Sequence, residues 1–170
     1  MTDPADLIAA LGDRLASHIA HQRWSGAHDR PIDRVELLWH ELVRKDEPLL
    51  LWTVVRAHFA DGGTQDYQLF LGVRPVEPAP DFLHGKEREL VAYLPDEPLS
   101  VVVYDALVDP DLAIEVLHFV APGTEVAVRR PIVLEHSNSS VVYDEAHILK
   151  VFRKVEAGPN PDVEITRVLA

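Results

Sequence analysis

The stretch "PLLLWTVVRAHFADGGTQDYQLFLGVR" admits few folds. Two runs rich in β-branched and aromatic residues flank Asp61-Gly62-Gly63, which tolerates the positive φ of a tight turn, so the pattern reads as a β-hairpin. Its arms, residues 49–60 and 64–74, are long enough to build a strongly curved sheet, and such a sheet must bury an apolar face. The amino-terminal segment offers the cover. Leu7, Ile8, Leu11, Leu15 and Ile19 recur on one helical face. Asp3 is placed to cap that helix, with Pro4 at its first position and Asp6 three residues after the cap, and the loop "SGAHDRP" ends it near Gly26. "IDRVELLWHELVR" reads as a further strand, with helix as the alternative. A helix laid across a curved antiparallel sheet places the chain in the α+β class.

The proline-rich "RPVEPAPDF" predicts a boundary at residue 80, dividing 1–80 from 81–170. Beyond it, "HGKERELVAYL" reads as a short helix and "SVVVYDAL" as a strand. Asp109 caps a helix opened by Pro110, and Gly123 lies past its end. "TEVAVRRPIVL" and "SNSSVVYDEAHILKVFRK" read as strands, the second folded into a hairpin over "DEAH". "GPNPDVEITRVLA" then starts a helix, with Asn160 as cap, Pro161 at its first position and Asp162 near its positive end.

Charge and composition exclude several functions. A net charge of −12 is wrong for a nucleic-acid partner or an anionic membrane surface, both of which need clustered Lys and Arg. No apolar run reaches the roughly 18 residues of a transmembrane helix, and the acidic start is unlike a secretory signal. The absence of cysteine rules out thiolate chemistry and fits a cytoplasmic protein. The nine histidines are scattered, without a ligand pattern; His18 and His21, three apart, mark a polar helix face, and no metal site is expected. Trp39 and Trp52 fall inside strand patterns and are expected in the core, and Trp24 is expected to cover one end of the first sheet. Ser139 has no base placed to make it a nucleophile.

Lys150 poses the sharper question. Alternation along a strand puts it on one face with Ile148 and Phe152, between large apolar neighbours. One reading is a lysine whose stem lies on a half-buried strand while its ammonium reaches water. The other gives it a partner. Ile165, Val168 and Leu169 form the apolar stripe of the following helix, and Glu164 flanks that stripe at about 100° from Ile165. A strand lysine paired with a glutamate on the next helix is how kinases position nucleotide phosphates. Glu164 taken alone is an ordinary surface acid. Upstream, "EHSNSS" occupies the place of a kinase's phosphate-binding turn: Asn138 tolerates left-handed backbone, and Ser137, Ser139 and Ser140 offer hydroxyls. It contains no glycine, and a polar hairpin tip reads the same way.

These residues carry a family resemblance. "EHSNSSVVYDEAHILKVFRKVEAGPNPDVEITRVL" resembles the maltokinase segment that usually runs close to "EQSNTS…ILKVFRR…G-NPD-E…RVL". "HQRWSGAHDRPI" is similar to the "QRWFGGKGR" motif of the same family's cap. Ser25 stands where that motif has an aromatic residue, His28 near its usual lysine, and His136 in place of glutamine. The resemblance implies a cystatin-like amino-terminal cap followed by part of a kinase amino lobe. It also implies ATP-dependent phosphorylation of maltose to maltose 1-phosphate for α-glucan synthesis. By motif, Ser137, Asn138, Ser139 and Ser140 are the phosphate loop, Lys150 the nucleotide lysine and Glu164 its partner.

Catalysis in such kinases needs segments resembling "HGDLH" and "DFE", and neither occurs in these 170 residues. The expectation is a non-catalytic front portion that binds ATP, takes magnesium only together with a carboxy-terminal lobe or partner chain, and self-associates through exposed apolar residues. The alternative is a free-standing interaction or regulatory module on the same fold.

Overall fold

The computed structural model describes residues 4–78, 80–96, 99–126, 132–135, 138–144 and 147–158. Along them run α1 (Pro4–His21), β1 (Ile32–Arg44), β2 (Leu49–Phe59), β3 (Thr64–Pro75), β4 (Leu90–Leu94), β5 (Val101–Asp105), α2 (Pro110–Val120), β6 (Ile132–Glu135), β7 (Ser139–Val142), β8 (Ile148–Val151) and β9 (Lys154–Val155). The class is α+β.

The predicted helical face is the buried one: Leu7, Ile8, Leu11, Leu15 and Ile19 all lie in the core. The helix is interrupted once, at Gly12, whose φ of 44° suits a residue without Cβ. Asp3 lies outside the described residues. The β2–β3 hairpin closes over Asp61-Gly62-Gly63, where Asp61 accepts from the Gly63 amide at 2.8 Å. β1 joins β2 antiparallel, with register shifts at Ile32/Arg34, Leu37/Trp39 and Leu42/Arg44. Each such bulge bends and twists the strand.

The sheet order is β1-β2-β3-β5-β4, all antiparallel neighbours. The proline-rich stretch connects strands of one sheet: Leu71–Pro75 pairs with Val101–Asp105 beyond it. Residues 84–94, expected as a short helix, are corrected to a short 3-10 turn at Glu87–Glu89 followed by β4. Val91, Ala92 and Leu94 are buried there, and a strand supplies both ladder partners and core contacts, which outweighs helical propensity.

Two cores flank the sheet. On one face α1 packs over Leu51, Val55, Ala57, Tyr67, Leu69, Leu71, Val91 and Val103. On the other, Leu50, Phe70, Val102 and Tyr104 meet α2 and the inward side of a second, three-stranded sheet ordered β6-β7-β8. The predicted cap of α2 is present: Asp109 accepts from the amides of Asp111 and Leu112. The same carboxylate also receives Tyr104 Oη at 2.8 Å and Arg74 Nη2 at 2.7 Å. Burial first, and then the adjacent Asp109 charge, push the Tyr104 phenol well above its ordinary pKa. One buried carboxylate thus fastens α2 to β3 and β5.

Trp24 covers one end of the first core, 5.7 Å from Tyr67 between ring centroids. Trp39 is a correction to the sequence reading. It is 42% exposed: the bulge at Leu37/Trp39 sets it opposite Val54, on the face of Trp52 rather than that of Leu37, at the edge of the sheet. Trp52 is half-buried, stacked on Phe70 at 5.9 Å and edge-on to Trp39 at 4.8 Å.

Candidate functional site

The second sheet arises from the predicted hairpins. β6 pairs antiparallel with β7, with Glu135 opposite Ser139 and Leu134 opposite Ser140. β8 returns alongside β7, with Val151 opposite Ser139 and Lys150 opposite Ser140. Directly paired residues on one face of a sheet bring their Cβ atoms to about 5 Å. Ser140 and Lys150 are therefore immediate neighbours.

Strand alternation divides the two faces. Ser139, Val141, Tyr143 and Val151 are buried, and Tyr143 Oη donates to the Ala113 carbonyl of α2 at 2.7 Å. Burial drives the Tyr143 phenol well above its usual range. The opposite face carries Ser140, Val142, Ile148 and Lys150, with Ile148 68% exposed. The lysine's surroundings are more open than a half-buried strand would give, and its Nζ lies 5.2 Å from the Phe152 ring centroid. Asn138 is half-buried just before β7. Ser137, His136, Glu164 and the helix expected beyond Asn160 lie outside the described residues, and so does any contact between Lys150 and Glu164.

The turn's serines consequently have different surroundings. Ser140 is on the lysine's face. The Ser139 hydroxyl is turned inward, where it accepts from Arg153 Nε at 2.8 Å.

Arg153 was not singled out by the sequence. It is fully buried, ion-paired with buried Asp105, and its guanidinium carbon sits 5.3 Å from the Trp24 ring centroid. A signal did exist: Arg153 has the strand parity of Leu149 and Val151, the inward-facing residues, which is a strange place for a cation without a partner. The partner, Asp105, is 48 residues away and carries no local mark.

Around Arg153, Gln22, Trp24 and Ser25 of the "QRWSG" motif are buried, while Arg23 and Gly26 are exposed. Gln22 Nε2 donates to the Arg88 carbonyl at 2.6 Å, Ser25 Oγ donates to the Gln22 carbonyl at 2.9 Å, and Tyr67 Oη donates to the Ser25 carbonyl at 2.8 Å. His18 lies beside them; burial lowers its pKa to about 4, with Arg153 adding to the fall and Asp105 opposing it.

A cleft of about 550 Å³ opens between α1 and β4, lined among others by Asp13, Arg14, His21, Glu87 and Arg88. Its two arginines are matched by two acids, so it favours neither sign of ligand. Among the described residues no three His, Asp or Glu side chains are grouped to hold a metal, and no helix is long and apolar enough to cross a membrane.

The family model of the maltokinase N-terminal cap domain matches residues 18–109. The matched span runs from buried His18 through the Gln22–Gly26 motif and the five-stranded run of sheet to Asp109, the carboxylate that fastens α2. It covers more than half of the sequence, and the chain belongs to the maltokinase N-terminal cap domain family.

Proposed function

We propose that the outward face of β6–β8 receives the phosphate end of ATP, and that the chain forms the cap and nucleotide-contacting portion of a kinase phosphorylating maltose at its anomeric hydroxyl. One observation carries this reading: Ser140 lies directly opposite Lys150, on an open face of the sheet. The Lys150 ammonium offsets phosphate charge, and the Ser140 hydroxyl donates to a phosphate oxygen. Glu164, through the family motif, holds the ammonium in place. These residues suit a nucleotide's phosphates. They do not suit its magnesium, since no acid cluster stands beside them among the described residues. The general base and the metal-binding acids belong to a carboxy-terminal lobe, so these 170 residues bind nucleotide without turning it over. A chain without cysteine suits the reducing cytoplasm.

The reading is tested by titrating Mg·ATP into the chain and into a Lys150→Met variant, with binding followed by NMR. Weak binding is expected, with a dissociation constant on the order of 1 mM, and the variant should lose at least tenfold. Equal affinity of the two proteins would refute the assignment. The second reading, an interaction module, draws its support from Trp39 and Leu38, both exposed on the edge strand β1.

A further inference from the structure

We infer that Arg153 is a positioning residue through which the cap holds the serine turn and the lysine strand in their nucleotide-competent register. The inference rests on the nucleotide reading above. It also gives the cap a role, with the first sheet serving as the template on which the second is set.

The chain leaves β8 at Val151 and within three residues becomes part of the cap sheet. Tyr67 pairs with Lys154 and Asp66 with Val155, so β9 adds to the half of β3 that β5 leaves open. Gln68 grips the connection twice, its amide donating to the Arg153 carbonyl and its side-chain amide to the Phe152 carbonyl, each at 2.8 Å. Gln68 is itself fixed, accepting from Trp52 Nε1 at 3.1 Å. Lys150 thus sits two residues from a backbone anchored to the cap.

The Arg153 side chain completes the hold from inside. Its guanidinium reaches Asp105 at the end of β5, Ser139 at the start of β7, and the face of Trp24 in the loop after α1. It therefore joins the two motifs that carry the family resemblance, which are remote in sequence. Ser139 is paired with Val151 across the sheet, and its neighbour Ser140 with Lys150. Fixing Ser139 consequently fixes the height of Ser140 beside the lysine.

Stability alone does not account for this arrangement. Burying an ion pair costs desolvation that its attraction only partly returns, and an apolar replacement of the same volume is often as stable. Arg153 Nη1 and Trp24 Nε1 are also buried without a protein partner among the described residues, and a buried donor left unpaired costs stability. What the guanidinium supplies, and an apolar side chain cannot, is a directional fork that sets Ser139 and Asp105 at one fixed spacing.

The test uses the full chain with Arg153→Lys, which keeps the charge and loses the fork, and with Ser139→Ala, which removes only the arm to the turn. Two readouts are taken at 10 °C: the dissociation constant for Mg·ATP, and hydrogen exchange of the amides in 139–142 and 148–151 without nucleotide. Folded Arg153→Lys should bind Mg·ATP at least tenfold more weakly, and its exchange in those two segments should rise at least tenfold while that of α1 and β2 stays at the wild-type rate. Should Arg153→Lys fail to fold, Ser139→Ala carries the test, with a severalfold loss of affinity expected. Wild-type affinity with wild-type exchange in a folded variant overturns the inference. The Lys150→Met comparison separates the two levels. If wild-type protein shows no Lys150-dependent binding, the nucleotide reading has failed, and the exchange rates alone decide whether Arg153 positions the turn: faster local exchange sustains it and unchanged exchange overturns it.

Discussion

Replacing Gly72 by alanine probes how the two layers close on each other. A Cβ built at this position lies 2.5 Å from Tyr104 Cε2, 2.6 Å from its Cζ and 2.9 Å from Leu112 Cδ1. Ordinary contact needs about 1 Å more, and close-packed interiors give way only at a cost of roughly 1–3 kcal/mol. The ring cannot swing aside freely. Its hydroxyl donates to Asp109 at 2.8 Å and accepts from Arg74 Nε at 2.8 Å, and Phe82 stands edge-on at 5.2 Å. Moving it strains a hydrogen bond to a charged group, worth about 1.5–3 kcal/mol when lost. Against this, alanine restricts the unfolded chain and returns about 0.4–1 kcal/mol. The net expectation is a destabilisation of roughly 2–4 kcal/mol. For a chain of this size each kcal/mol lowers Tm by about 2–4 °C, which predicts a fall of roughly 4–16 °C. Thermal unfolding followed by circular dichroism measures it directly. Gly123→Ala is the control: among the described residues no atom beyond its chain neighbours lies within 4 Å of a Cβ built there, so the penalty expected is that of its φ of 84°. A Gly72→Ala protein melting within a degree of wild type would refute the claimed closeness of β3, Tyr104 and α2.

Asp109→Ala removes a helix cap and leaves Arg74 and Tyr104 without their shared acceptor, so it should cost about 3–5 kcal/mol in denaturant unfolding. His18 should make stability pH-dependent. Its folded pKa, about 4, lies below the ordinary 6.5, so between those values the unfolded state binds more protons; this contribution is intact above pH 6.5 and is lost as pH falls toward 4. The full loss is on the order of 3 kcal/mol, and His18→Gln should flatten the difference between unfolding midpoints at pH 7.5 and pH 5. An unchanged pH profile in that variant would place the titration elsewhere.

The sequence was most legible where structure is local. The five apolar residues of α1, the Asp61-Gly62-Gly63 turn and the Asp109-Pro110 helix start each announce themselves within a few positions, because helical period, turn chemistry and capping act over that range. Pairing across the sheet was less legible. "LVAYL" is short enough for either helix or strand, and only β5 beside it decides. Trp39 was misplaced because a bulge in β1 reverses its side after Leu37, and a bulge leaves no plain trace in a pattern of alternation. For the candidate site, the pairing of the serine turn with the lysine strand was readable from two hairpins in sequence. Arg153 was not, since its meaning lies in Asp105 and Trp24, which only the fold brings near.

The most direct measurement is an amide shift map of the isotopically labelled chain titrated with Mg·ATP. Saturable shifts are expected, centred on Asn138, Ser139, Ser140 and Lys150, with α1 and the cleft beside β4 unaffected. Shifts confined to that cleft, or none at Ser140 and Lys150 at saturating nucleotide, would contradict the nucleotide reading.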